Sequence, residues 1–208
     1  MEQALIGLAG VLIGALVSSW LLTQYQERKE KEIQHSKCIA TIYLLLSRCS
    51  YLTNFCRNYL TADQSTLTDK VHFSIIYDYI RRDKIDFSSL SFLADKHDSN
   101  FLYELALIES TYFNFINSLE TRNDILQNVI NRLSKVSERS DKSLHSELFT
   151  SYELKHFRFN SKSMIHFSCI SLQTTKEQMN QLGKIIERRY PNLSHPKPKI
   201  EKVTPITI

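Results

Sequence analysis

Residues 4–22 (ALIGLAGVLIGALVSSWLL) are apolar or small throughout, and no charge falls between Glu2 and Glu27. At helical rise, nineteen residues reach about 28 Å, close to the hydrocarbon thickness of a bilayer. The run is too long for a secretory signal peptide, lacks a basic start and has no good cleavage site before Trp20. It predicts one membrane-spanning helix over residues 4–25, with membrane lipid as its surroundings. No Lys or Arg precedes it, whereas Arg28, Lys29, Lys31 and Lys37 follow it. Cytoplasmic flanks retain basic residues, so residues 1–3 are expected outside and residues 26–208 in the cytoplasm, in a plasma (inner) membrane. Trp20, Tyr25, Arg28 and Lys29 mark the cytoplasmic interface. Within the span Gly7, Gly10, Gly14 and Ser18 recur at spacings of three and four, forming one stripe on which a second copy could pack closely.

Beyond the span the pattern is helical. Leu105, Ile108, Tyr112, Phe115, Leu119, Arg122, Leu126, Val129, Leu133 and Val136 alternate spacings of three and four, with Arg122 the one break. A second seam runs Ile39, Ile42, Leu46, Cys49, Thr53, Cys56 and Leu60. A third, more polar, runs Ile165, Ser168, Leu172, Thr175, Met179, Leu182 and Ile186. Flanking apolar residues such as Leu45, Leu52, Ile116 and Ile130 widen these stripes beyond a coiled-coil seam, towards a bundle core. The first helix is expected to continue from the membrane to about residue 59. A second is expected over residues 69–82, a short one over 86–94, and a third opening at the capping residues Asp98, Ser99 and Asn100. Residues 150–160 are read as helix. The fold expected is therefore all-α: a single span continuing into a cytoplasmic antiparallel bundle of about four long helices over residues 26–190.

Composition sharpens that reading. Residues 23–190 contain no proline and only Gly183, where average usage would give roughly eight prolines and twelve glycines. Strand folds need such turn residues at short intervals. All four prolines lie at residue 191 or later, so residues 191–208 are expected to be a flexible tail. The formal charge is only +4 and the basic residues are dispersed, which argues against nucleic acid as a partner. Cys38, Cys49 and Cys56 lie along one helix, too far apart to bridge one another, and are expected to pack as small hydrophobes. Cys169 could meet one of them from another helix, although a reducing compartment disfavours a disulfide.

Chemistry is sparse. The chain has no phosphate-binding glycine loop, no nucleophile elbow, no zinc-ligand spacing and no dinucleotide fingerprint, so neither a metal nor a cofactor is expected. Glu153, His156 and His166 are titratable neighbours in sequence and are read as surface groups. Arg122 must reach either solvent or a carboxylate, with Glu104, Glu109 and Glu120 as candidates. Arg139 followed by His145 resembles the Arg–His motif of HEPN-type ribonucleases, also helical bundles. That resemblance implies RNA cleavage at this pair. It covers seven residues of 208, and Ser140 stands where the family usually carries Asn, Asp or His. The same loose spacing fits Arg28 with His35 and Arg188 with His195.

The expectation is thus a non-enzymatic, membrane-tethered interaction, scaffold or sensor module that holds a cytoplasmic protein partner at the membrane. Two alternatives stand beside it: a self-associating effector of toxin or defence type that perturbs the bilayer through its Gly-striped span, and the HEPN-like ribonuclease.

Overall fold

The computed structural model describes residues 2–60, 82–95, 98–136 and 148–193, with the side chains of residues 2–9, 58–60 and 133–136 left aside. Among these residues the protein is all-helical, with no strand. Helix α1 runs Glu2–Leu60, a 3-10 turn spans Ser88–Leu93, α2 runs Ser99–Val136 and α3 runs Ser151–Arg189. The expected helix over residues 69–82 lies outside the described residues, apart from Arg82, which is not helical. The Ser137–Lys142 loop and almost all of the expected tail lie outside them too.

α1 has two halves of different character. Residues 10–33 are exposed on every side, about 36 Å of helix. From Gln34 onwards α1 joins the bundle and buries Cys38, Ile42, Leu45, Cys49, Leu52, Phe55 and Cys56. The buried stripe is rotated by about one residue from the expected seam: Leu45 and Leu52 are inside, and Leu46 and Thr53 are half-buried. Ile42, Cys49 and Cys56 of the expected seam stay buried, and Arg48 is fully buried on the same face.

α2 follows its seam closely, with every position from Leu105 to Val129 buried, Arg122 included. α3 starts at a capping box. The Thr150 hydroxyl accepts from the Glu153 N–H while the Glu153 carboxylate accepts from the Thr150 N–H. The helical reading of residues 150–160 therefore holds, and Thr150 is what fixes its start.

Side-chain pairs give the directions. Arg48 meets Glu109 and Phe55 meets Phe115, so α1 and α2 run parallel. Cys56 lies beside Ser168 and Gln34 beside Tyr190, so α3 runs antiparallel to α1. Glu104 with Gln178 and Arg132 with Glu153 show the same for α2 and α3. The bundle is antiparallel only through α3. The 3-10 turn packs Leu90 and Leu93 into the core. Each buried Leu or Phe contributes about 1.5–3 kcal/mol. The main core ends near Leu119; beyond it α2 and α3 continue as a pair around Leu126, Val129, Phe149 and Phe157.

Among the described residues no helix is long and apolar enough to cross a membrane. Residues 4–9 of the apolar run are among those whose side chains are left aside.

Candidate functional site at the end where α1 leaves the bundle

Where α1 leaves the core, its residues 34–38 meet two helix ends, the start of α2 and the end of α3. Asp98 precedes the first residue of α2, where the helix dipole favours a negative charge. Arg188 and Arg189 close α3, where it favours positive ones. The Asp98 carboxylate is nearly buried and accepts from both arginines, with Arg189 Nε at 2.8 Å. Arg189 also donates to Asp95 and, at 3.4 Å, to the Phe92 carbonyl. This clamp ties α3 to α2 and to the 3-10 turn. Asp98 had been expected as a helix cap; its carboxylate serves as an ion-pair hub.

Tyr190 ties the same point to α1. Its hydroxyl donates to Gln34 Oε1 at 3.1 Å, and its ring meets the His35 ring edge-on at 5.5 Å. Burial pushes the Tyr190 phenol up to about 12 and the neighbouring Cys38 thiol up to about 11, so both are neutral. Just outside lies an open groove of about 500 Å³ between residues 24–32 of α1 and residues 189–193. Its charges are mixed: Glu27, Arg28, Lys31, Glu32 and Arg189. Nothing in it aligns a nucleophile with a base. Tyr190 thereby links Gln34 and His35 of α1 to the end of α3, which Arg188 and Arg189 tie to the start of α2.

Other expected residues are scattered. Trp20 and Tyr25 are 62% and 64% exposed, and Arg28 donates to Glu32 at 3.3 Å, as its i,i+4 spacing predicts. Lys29 and Ser18 are exposed. A Cβ added at Gly10 or Gly14 would meet nothing within 4 Å; the surroundings of Gly7 lie outside the described residues, as do Arg139 and His145. Arg122 does not snorkel: it is 2% exposed and its guanidinium sits 4.8 Å over the Phe157 ring, between the two core clusters. The three carboxylates considered for it serve other groups: Glu109 accepts from Arg48, Glu120 from Arg82 and Glu104 from Gln178. Glu153 is held down to about 2, first by its bidentate bond from Arg132 and then by the Thr150 N–H. His156 stacks near Tyr152, and His166 lies beside Phe167. Among the described residues no group of His, Cys, Asp and Glu is placed to hold a metal.

Arg48 went unnoticed in the sequence. It donates to Glu109 and to the Asp83 carbonyl while its guanidinium lies 4.5 Å over the Tyr112 ring. Glu109 in turn accepts from the Ile85 N–H at 3.0 Å. The signal was available: Arg48 lies three residues after Leu45 and four before Leu52, inside an apolar stripe.

No family, curated protein or solved structure matches this chain.

Proposed function

We propose that the protein is a membrane-tethered helical module whose apolar α1 segment anchors a cytoplasmic bundle that engages a protein partner. One observation carries the anchor. Val11, Leu12, Ile13, Leu16, Val17, Trp20, Leu21 and Leu22 are each at least half exposed and encircle α1. A helix that is apolar all round needs an apolar surrounding, and an exposed patch of this extent marks an interaction surface. In the sequence the same run continues back to Ala4, which gives it bilayer length. Thr23 bonds back to the Ser19 carbonyl at 3.0 Å, so this hydroxyl asks nothing of the solvent. The cluster at Arg28, Lys29 and Lys31 favours a cytoplasmic bundle.

Alkaline extraction of membranes from cells making the full chain tests this. The protein is expected to remain with the membrane, and a Leu12→Arg/Leu16→Arg variant to be released. Release of the unaltered chain would remove the proposal. Self-association through the span is a second reading, resting on the spacing of Gly7, Gly10, Gly14 and Ser18 in the sequence. The HEPN-like reading rests on Arg139 and His145 in the sequence alone.

A further inference from the structure

The groove beside α1 has two walls of different origin. One is α1 itself, with Gln24, Glu27, Arg28, Lys31 and Glu32. The other is the turn that ends α3, where the Leu193 N–H donates to the Tyr190 carbonyl at 3.0 Å and Leu193 packs against the main core. That turn is held in place by Arg189 on Asp98 and by Tyr190 on Gln34. The groove's volume, about 500 Å³, falls within the range of small-molecule sites, roughly 300–1,000 Å³.

Three of its five charges are already matched. Arg189 is paired with Asp95 and Asp98, and Arg28 donates through Nε to Glu32. Glu27 and Lys31 stand four residues apart on one face of α1, yet neither enters an ion pair among the described residues. The groove therefore offers one carboxylate and one ammonium, and Arg28 keeps its two terminal nitrogens outside its bond to Glu32.

Position along α1 points to the ligand. Glu27 lies about 7.5 Å beyond Leu22, the last residue of the apolar run, and Lys31 about 13.5 Å beyond it. A headgroup layer is roughly 5–8 Å deep on each side of the hydrocarbon. Helical side chains lean towards the N-terminus, here towards the apolar run, and the long Lys31 stem extends that reach.

We propose that the groove seats one phosphoethanolamine group, that of a phosphatidylethanolamine lipid, with Lys31 and Arg28 on the phosphate and Glu27 on the ammonium. This rests on α1 entering a membrane beside the groove. A primary ammonium donates hydrogen bonds to a carboxylate, whereas the quaternary ammonium of a choline lipid has no N–H to give. The headgroup of an anionic glycerol lipid brings a phosphate to Glu27 with no cation to match it.

The test is native mass spectrometry of the full chain, extracted in detergent and mixed with equal amounts of phosphatidylethanolamine, phosphatidylcholine and phosphatidylglycerol bearing the same acyl chains. One phosphatidylethanolamine per chain is expected to be retained in preference to either of the others. Excess soluble phosphoethanolamine should not displace it, because the acyl chains add binding of their own. Glu27→Gln should abolish the preference over phosphatidylcholine, a change of up to about fivefold, the contribution of one exposed ion pair. Lys31→Gln should weaken retention of all three lipids, since all carry the phosphate. Equal retention of the three by the unaltered chain, an unchanged preference in Glu27→Gln, or displacement by soluble phosphoethanolamine would each overturn the proposal. Failure of the anchor itself is read separately by alkaline extraction: a chain that stays with the membrane but shows no lipid preference loses the headgroup site alone.

Discussion

Arg48 of α1 donates to Glu109 of α2 with its side chain wholly removed from solvent, and Glu109 is only 13% exposed. The charge is met by the carboxylate, the Asp83 carbonyl and the Tyr112 ring, while Arg48 Nε is buried with no hydrogen-bond partner among the described residues. α1 and α2 are held together by this pair and by Phe55 and Tyr51 against Phe115, with the Asp83–Ile85 stretch fixed alongside. Removing one partner strands a buried charge, so Glu109→Ala is expected to lower unfolding stability by about 3–5 kcal/mol. Arg48→Met/Glu109→Leu leaves no charge behind and should cost less than Glu109→Ala alone. Denaturant unfolding in micelles compares them. A double variant weaker than the single would show that the pair is not the source of the penalty.

Asp98 makes a similar contribution where α1 leaves the bundle. Asp98→Ala removes the acceptor of both Arg188 and Arg189. The expected loss is about 2–4 kcal/mol, with the end of α3 fraying first. Hydrogen exchange should show lost protection at residues 185–190 before any loss at Phe157. Uniform loss along α3 would contradict a local clamp.

Glu153 sets an acid limit on the start of α3. Its folded pKa, about 2, lies below its ordinary value of 4.5. Its contribution is therefore complete above pH 4.5 and lost as the pH falls towards 2. Thermal unfolding between those limits should be less pH-dependent in Glu153→Gln. Thr150→Ala removes the other half of the capping box and should cost about 1 kcal/mol at neutral pH.

Gly10 and Gly14 offer a separation of folding from association. Because a Cβ added at either meets nothing within 4 Å among the described residues, Gly10→Ile/Gly14→Ile should leave the bundle's stability unchanged. If the stripe joins copies of the chain, the same variant abolishes crosslinking between full-length chains in membranes. Unchanged crosslinking would exclude that face.

Much of this architecture was legible in the order of residues. The α2 seam from Leu105 to Val129 keeps a steady period that is apolar but for Arg122, and each of its positions is buried. On α1, Ile42, Cys49 and Cys56 of the seam and the flanking Leu45 and Leu52 are buried, but Arg48 counts as polar in any pattern, whereas the fold buries it against partners 61 and 35 residues away in the chain. Asp98 had the residue type of a cap. Only the third dimension shows that Arg188 and Arg189 arrive from the far end of α3. The parallel course of α1 and α2 was equally hidden, since periodicity describes a helix's face and not its direction.

The central claim, that the apolar half of α1 sits in lipid, can be read from the chain's single tryptophan. Trp20 is 62% exposed and lies near the end of the apolar run. In vesicles containing the full chain, lipids brominated along the acyl chain should quench its fluorescence, and its emission should be shifted to the blue of an indole in water. Aqueous iodide should quench it weakly. Emission of a water-exposed indole, quenched by iodide and untouched by brominated lipid, would contradict the account.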